Sequence, residues 1–289
     1  MKMLMNVQQS SVVQINNIDP SYIGCALVCI AKKEERYIEE FVQYHLKLGV
    51  DYIFLYDNED QPTYHKLLSS YKQVIVKHIP GKKYYGGPQT KALHDFTTRI
   101  MKDQRITHVA HIDIDEFIVL KKHSHIHDFI RSYIKTNNNS IKCAGIGMNW
   151  RFFGSSGHIT YENTPVTSRF TKCAKKLNHH IKTLFNKKFF RKYNECHSIQ
   201  TNNREYPILS TSGKLITSAF NEETQNDIIQ LNHYKCKTWD EFREIRKRGR
   251  ADIPGRVETD KQIANSFRVH NINEIEDKSA HDFFKKKCM

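Results

Sequence analysis

Between residues 22 and 112 short apolar runs alternate with amphipathic stretches, and this alternation constrains the fold more than any other feature of the chain. Residues 22–31 are almost continuously apolar, the pattern of a strand buried on both faces. Glu34 and Glu35 follow, acids suited to the first turn of a helix. Tyr37, Phe41, Tyr44 and Leu48 then recur at helical spacing, and Gly49 supplies a stop. A second strand is expected over 52–56, ending at Asp57-Asn58. Helical character over 65–71 precedes a strand over 74–79. The Gly/Pro-rich loop 80–88 leads into a helix over 89–102, and a strand over 108–112 delivers the chain to an acidic cluster. Such alternation predicts an α/β fold with a mostly parallel sheet wound by right-handed crossovers. In these sheets ligands gather beyond the carboxyl ends of the strands. Asp57, the 80–88 loop and residues 113–116 all fall at those ends.

Asp113 and Asp115 are separated by one residue, so in an extended chain both side chains point to the same side. Two hard oxygen ligands just past a buried strand suit Mn²⁺ or Mg²⁺, whose open positions diphosphate oxygens can fill. Glu116 points the other way in a regular strand and reads as a supporting partner. The pattern leaves two alternatives open: a solvated strand end, or a metallohydrolase that also uses His111. No His-x-His-x-Asp-His arrangement occurs to favour the latter.

The second half is less regular. A strand is expected over 143–150, a short one over 187–191, and a basic helix over 239–248 ended by Gly249. No internal repeat or linker stands out. The expected organisation is a loose lead-in over 1–20 and one domain over 21–289, divided into halves at 21–120 and 121–289.

The 45 basic against 31 acidic residues give a net charge of +14, which favours anionic partners without choosing among them. A polyanion- or nucleic-acid-binding protein is therefore the rival from outside enzymology. Acids at the expected ligand edge and the lack of a nucleic-acid-binding motif argue against it, so no nucleic acid is expected as a partner. Seven cysteines without a Cys-x-x-Cys pair suggest idle or buried thiols in a reducing compartment. No stretch approaches the ~20 apolar residues of a membrane span, and residues 1–14 lack a signal-peptide core. The expectation is a soluble, cytoplasmic chain.

Several segments, in order, resemble glycosyltransferase family 92 and the related family-2 type. They are Lys32-Lys33-Glu34-Glu35-Arg36-Tyr37-Ile38-Glu39-Glu40-Phe41 with Tyr44-His45 and Gly49-Val50, then Tyr56-Asp57-Asn58, then Gln89 with Lys91 and His94. Asp113-Ile114-Asp115-Glu116-Phe117, Asn149-Trp150, Phe153-Gly154-Ser155-Ser156-Gly157-His158, Asn232-His233-Tyr234 and Arg248-Gly249 continue the series. The resemblance implies a GT-A fold in which residues 21–120 bind a nucleotide sugar and residues 121–289 bind the acceptor. It implies transfer of a sugar from a nucleotide-diphosphate donor, a UDP-sugar in the first instance, to a glycan or other hydroxyl acceptor, usually with inversion. Glu34 and Asp57 would lie near the nucleoside, and Gln89 and Lys91 near the nucleotide or its phosphates. Asp113 and Asp115 would engage metal, ribose and diphosphate, and His233 matches the histidine that completes the metal site. Lys33 and Glu59-Asp60 depart from the family pattern, which bears on the nucleotide. Family members in animal cells carry a membrane anchor, so a bacterial or viral origin is expected rather than a Golgi one.

Within that reading, Lys91 or the lysines of Gly81-Lys82-Lys83 add positive charge for the leaving diphosphate. His158 and Glu162 are the candidates for the base that takes the acceptor proton. Trp150 is a candidate platform for the acceptor sugar. Arg243, Arg246, Lys247, Arg248 and Arg250 would allow peripheral contact with an anionic membrane. The third possibility is an inactive GT-A scaffold.

Overall fold

The computed structural model describes residues 22–81, 84–134, 142–222, 227–247 and 258–286. The expected lead-in, Lys82, Lys83, Arg248, Gly249 and Arg250 lie outside the described residues. Strands β1 (Cys25–Ala31), β2 (Tyr52–Asp57), β3 (Val74–His78) and β4 (His108–His111) alternate with α1 (Ile38–Leu48), α2 (Tyr64–Leu67) and α3 (Gly87–Ile100). Next come β5 (Glu116–Leu120), α4 (Ile126–Tyr133), β6 (Gly145–Phe152), α5 (Val166–Arg169), β7 (Lys172–Cys173) and β8 (Ile181–Asn186). A 3₁₀ turn at Lys187–Phe189 precedes β9 (Phe190–Asn194), β10 (Ser198–Thr201), β11 (Ile208–Leu209), β12 (Leu215–Ile216) and β13 (Ile229–His233). The chain continues through α6 (Trp239–Lys247), α7 (Asp260–His270), β14 (Ile275–Glu276) and α8 (Ser279–Lys286).

Strands β3, β2, β1 and β4 run parallel in that order. β8 then pairs antiparallel with both β4 and β6. The two reversals restore direction, so β6 points the same way as β1 to β4, as does β13, which is parallel to β6. The architecture is the α/β sheet that the alternation predicts, parallel from β3 to β4 and mixed beyond β4. Each strand of the parallel half also starts or ends within a few residues of its expected bounds.

The period of two explains why β1 and β2 are apolar throughout. Leu27, Cys29, Ile53 and Leu55 face one core cluster, while Ala26, Val28, Phe54 and Tyr56 face the other. On α1, Tyr37, Phe41, Tyr44 and Leu48 are all buried, the expected stripe. Tyr44 packs edge-on against Phe117 of β5 and donates its hydroxyl to the Ile118 carbonyl at 2.9 Å. Gly49 closes the helix with φ +99°, a backbone that costs glycine nothing, and its N–H bonds the Leu46 carbonyl.

One expectation is adjusted in the second half. The short strand over 187–191 is a 3₁₀ turn followed by β9, where the Asn186 side chain caps Lys188 N–H. In the basic helix α6, Arg243 and Lys247 share Asp260, and Arg246 pairs with Glu258. Among the described residues no helix is long and apolar enough to cross a membrane.

Candidate donor and metal site

Because β1, β2, β4, β6 and β13 share a direction, their carboxyl ends open on one edge. The amino ends of the reversed strands β5 and β8 meet them there. His233, the last residue of β13, is in register with Glu116, the first of β5. Lys182, second on β8, is in register with Met148 of β6. The turn from β4 to β5 carries Asp113 and Asp115 into this gap. It is closed by Glu116 N–H donating to the Asp113 carbonyl and by Asp113 N–H donating to the Glu116 carboxylate.

The two aspartates have different surroundings. Asp113 accepts from Lys182 Nζ at 3.0 Å on Oδ2 and from Gln89 Nε2 at 3.2 Å on Oδ1. Asp115 Oδ2 lies 3.5 Å from His233 Nε2. The Asp113 and Asp115 side chains stay 34% and 24% exposed, whereas those of Lys182 and Glu116 are wholly buried. Of the two partly exposed carboxylates, Asp113 is thus held from behind by a buried lysine, while Asp115 faces His233. Burial pushes the carboxyl of Asp113 up, but Lys182 and His111 outweigh it and hold the group below the usual carboxylate range. For Asp115 burial is outweighed by His233, with Lys237 and Lys235 adding to the lowering. Burial dominates at Glu116 and raises it well above its ordinary value, in spite of Lys182. Burial works against the Lys182 ammonium, but Asp113 and Glu116 more than offset it and keep the group charged.

Trp150 is 9% exposed, with His180 stacked on it at 5.0 Å between centroids and His233 at 4.5 Å. Its face is therefore occupied by imidazoles, and its buried Nε1 has no hydrogen-bond partner among the described residues. His197 abuts the same ring, and burial, reinforced by the Lys182 charge, lowers His197 to about 4. Glu34 is buried at the end of β1, where its N–H meets the Tyr64 hydroxyl and its carbonyl starts α1. Asp57 is buried too. Its carboxylate accepts from the backbone N–H groups of Glu59, Thr63 and Tyr64, so it shapes the loop beside the edge. Lys91 is half-buried in the second turn of α3, beyond Gln89. His158 Nδ1 and Glu162 Oε1 lie 3.2 Å apart on the loop after β6, and His158 also meets Phe170. That pair is joined to itself, with no hydrogen bond to Asp113, Asp115 or His233 among the described residues.

Sequence reasoning missed Lys182, His180 and His197. A lysine inside an apolar strand, as in Ile181-Lys182-Thr183-Leu184-Phe185, was the available signal, since a lysine is seldom fully buried unless paired. As a metal site the donor set is chemically apt: a partly open carboxylate beside a buried imidazole suits Mn²⁺ or Mg²⁺. Among the described residues no three His, Cys, Asp or Glu side chains converge into a cage. The protein therefore offers Asp115 and His233 as an adjacent pair, which fits ions that take the rest of their ligands from water and phosphate.

The sequence pattern of Glycosyltransferase family 92 matches residues 26–283. A glycosyltransferase family 92 protein of Ricinus communis is 24% identical over 218 residues, and the match spans 74% of this chain but 35% of that protein. Among solved structures, S. aureus TarS aligns with a TM-score of 0.38 at 12% identity, covering 85% of this chain and 43% of that one. HddC from Yersinia pseudotuberculosis aligns with a TM-score of 0.33 at 11% identity, covering 68% of this chain and 95% of that one.

Proposed function

The chain belongs to glycosyltransferase family 92, and from that premise we propose that it moves a sugar from a nucleotide-diphosphate donor, UDP-linked in the first instance, to a hydroxyl of a glycan acceptor with inversion. The observation that carries this reading is the Asp115–His233 pair at the carboxyl edge of the sheet, beside an Asp113 clamped by Lys182 and Gln89. Asp115 and His233 would hold Mn²⁺ or Mg²⁺, and such an ion, when bound, offsets the charge that grows on the departing diphosphate. Asp113 keeps acceptor positions open toward the donor, because a carboxylate has about four and the protein fills two. Trp150, His180 and His197 pack as a group of rings beside His233 on the β6 and β8 side. The acceptor oxygen attacks the anomeric carbon, its proton passes to a base for which His158 and Glu162 are the candidates, and the bond from that carbon to the diphosphate oxygen breaks. Glu162 orients His158 through the contact at Nδ1.

Differential scanning fluorimetry with nucleotides and nucleotide sugars, each with Mn²⁺ or chelator, tests the reading. A ligand that binds only the native state raises the melting temperature by mass action. The expected result is a Mn²⁺-dependent rise with UDP or a UDP-sugar. No rise with any nucleotide removes the donor site.

A further inference from the structure

We infer that Lys182 is a positioning residue of the donor site, an internal cation that holds Asp113 away from the metal and leaves Asp115 and His233 as the protein's metal ligands. This rests on the reading of the sheet edge as a metal-assisted nucleotide-sugar site. Lys182 is wholly buried and reaches the edge because β8 runs antiparallel between β4 and β6. Its Nζ lies 3.0 Å from Asp113 Oδ2 and 3.9 Å from Glu116 Oε2. The other Asp113 oxygen receives Gln89. Both Asp113 oxygens therefore already face protein donors, whereas Asp115 Oδ2 faces an imidazole nitrogen, itself a metal-ligating atom.

The physical reason is charge. A divalent ion on Asp113 Oδ2 would share that oxygen with an ammonium in a poorly screened setting, where like charges repel strongly. The ammonium cannot retreat, because it is fully enclosed, and moving away would strip Asp113 of its 3.0 Å partner. Asp113 is thus oriented as a hydrogen-bond acceptor for the donor, while the metal settles on Asp115 and His233.

Electron paramagnetic resonance of Mn²⁺ in saturating UDP tests this, with GDP replacing UDP if UDP fails to raise the melting temperature. Asp115→Asn should weaken Mn²⁺ binding by at least ~10–100-fold, whereas Asp113→Asn, which removes a nearby charge but no ligand, should weaken it much less and raise the donor KM. Lys182→Met releases Asp113 and removes a positive charge, so Mn²⁺ binding should tighten while the donor KM rises. Lys182→Arg should restore both. A lysine with a merely structural role would lower the melting temperature without tightening Mn²⁺. Should Lys182→Met fail to fold, the double variant Lys182→Met/Asp113→Asn removes both charges together and should bind Mn²⁺ like wild type. Loss of Mn²⁺ by Asp113→Asn or by the double variant to the extent seen in Asp115→Asn overturns the inference, as does unchanged Mn²⁺ affinity in a folded Lys182→Met. A wild-type protein that binds no Mn²⁺ with either nucleotide removes the proposed function itself, and the inference with it.

Discussion

The parallel half, β1 to β4, and the mixed half that follows contribute to the same edge by different means. In the parallel half, direction alone brings Glu34, Asp57 and Asp113 together, because each strand ends where its neighbours end. In the mixed half, Lys182 arrives at the start of a reversed strand and His233 at the end of a forward one. Position within a strand therefore says little there until the pairing is known. The halves are also held differently. The parallel half rests on apolar side chains on both sheet faces. The mixed half is tied to α1 by buried polar groups: Arg169 forms a two-pronged pair with Glu241, Glu241 accepts the Tyr37 hydroxyl, and Glu40 caps the start of α5.

The largest effect that would sharpen this contrast is at the meeting point. Asp115→Asn should lower transfer by ~10³-fold, about 4 kcal/mol of transition-state stabilisation, with the melting temperature of the metal-free protein preserved. Unimpaired turnover under steady-state kinetics would take Asp115 out of the chemistry. Next comes the polar tie. Arg169→Met leaves Glu241 as an unpaired buried acid and should cost about 3–5 kcal/mol in urea unfolding. A shift near zero would show that α5 and α6 are not needed to brace α1.

Acid should separate the two regions. His45 and His108 of the parallel half are held neutral by burial, at about 3 and about 4 against an ordinary 6.5. The unfolded chain protonates first as pH falls, so the stability tied to these rings is complete above 6.5 and drains as pH drops toward 4. His111 and His197 at the site add to this window. At Glu241 burial is outweighed by Arg169, Thr238 and Tyr37, which hold it at about 2 against 4.5, so its contribution is lost only as pH falls from 4.5 to 2. The urea midpoint should fall in two stages, and a flat profile from pH 7 to 4 would contradict the first. The smallest effect belongs to the exposed pairs on α6. Lys247→Ala, which breaks a solvent-screened contact with Asp260, should leave the melting temperature unmoved.

Most of the parallel half was legible because its signals are local. Buried strands must be apolar on both faces, α1 shows its stripe at Tyr37, Phe41, Tyr44 and Leu48, and Gly49 ends it where a positive φ is required. The acidic pair was legible as a cluster at the strand end, but its geometry was not: Asp113 and Asp115 lie in a turn rather than the extended chain their spacing suggested, and the Glu116 carboxylate folds back onto Asp113 N–H instead of pointing away. His233 entered only through resemblance. Trp150 illustrates the limit: its type suggested an open platform, but pairing of β6 with β8 and β13 covers it with His180 and His233.

The order of residues by itself determined the α/β class, the strands of the first half and the edge at which polar groups collect, because these follow from periodicity and chain direction. Only the tertiary structure decided which groups face Asp113 and Asp115. Lys182 lies 69 residues from Asp113 in the chain, and a contact over that distance exists only once two antiparallel pairings have folded β8 between β4 and β6.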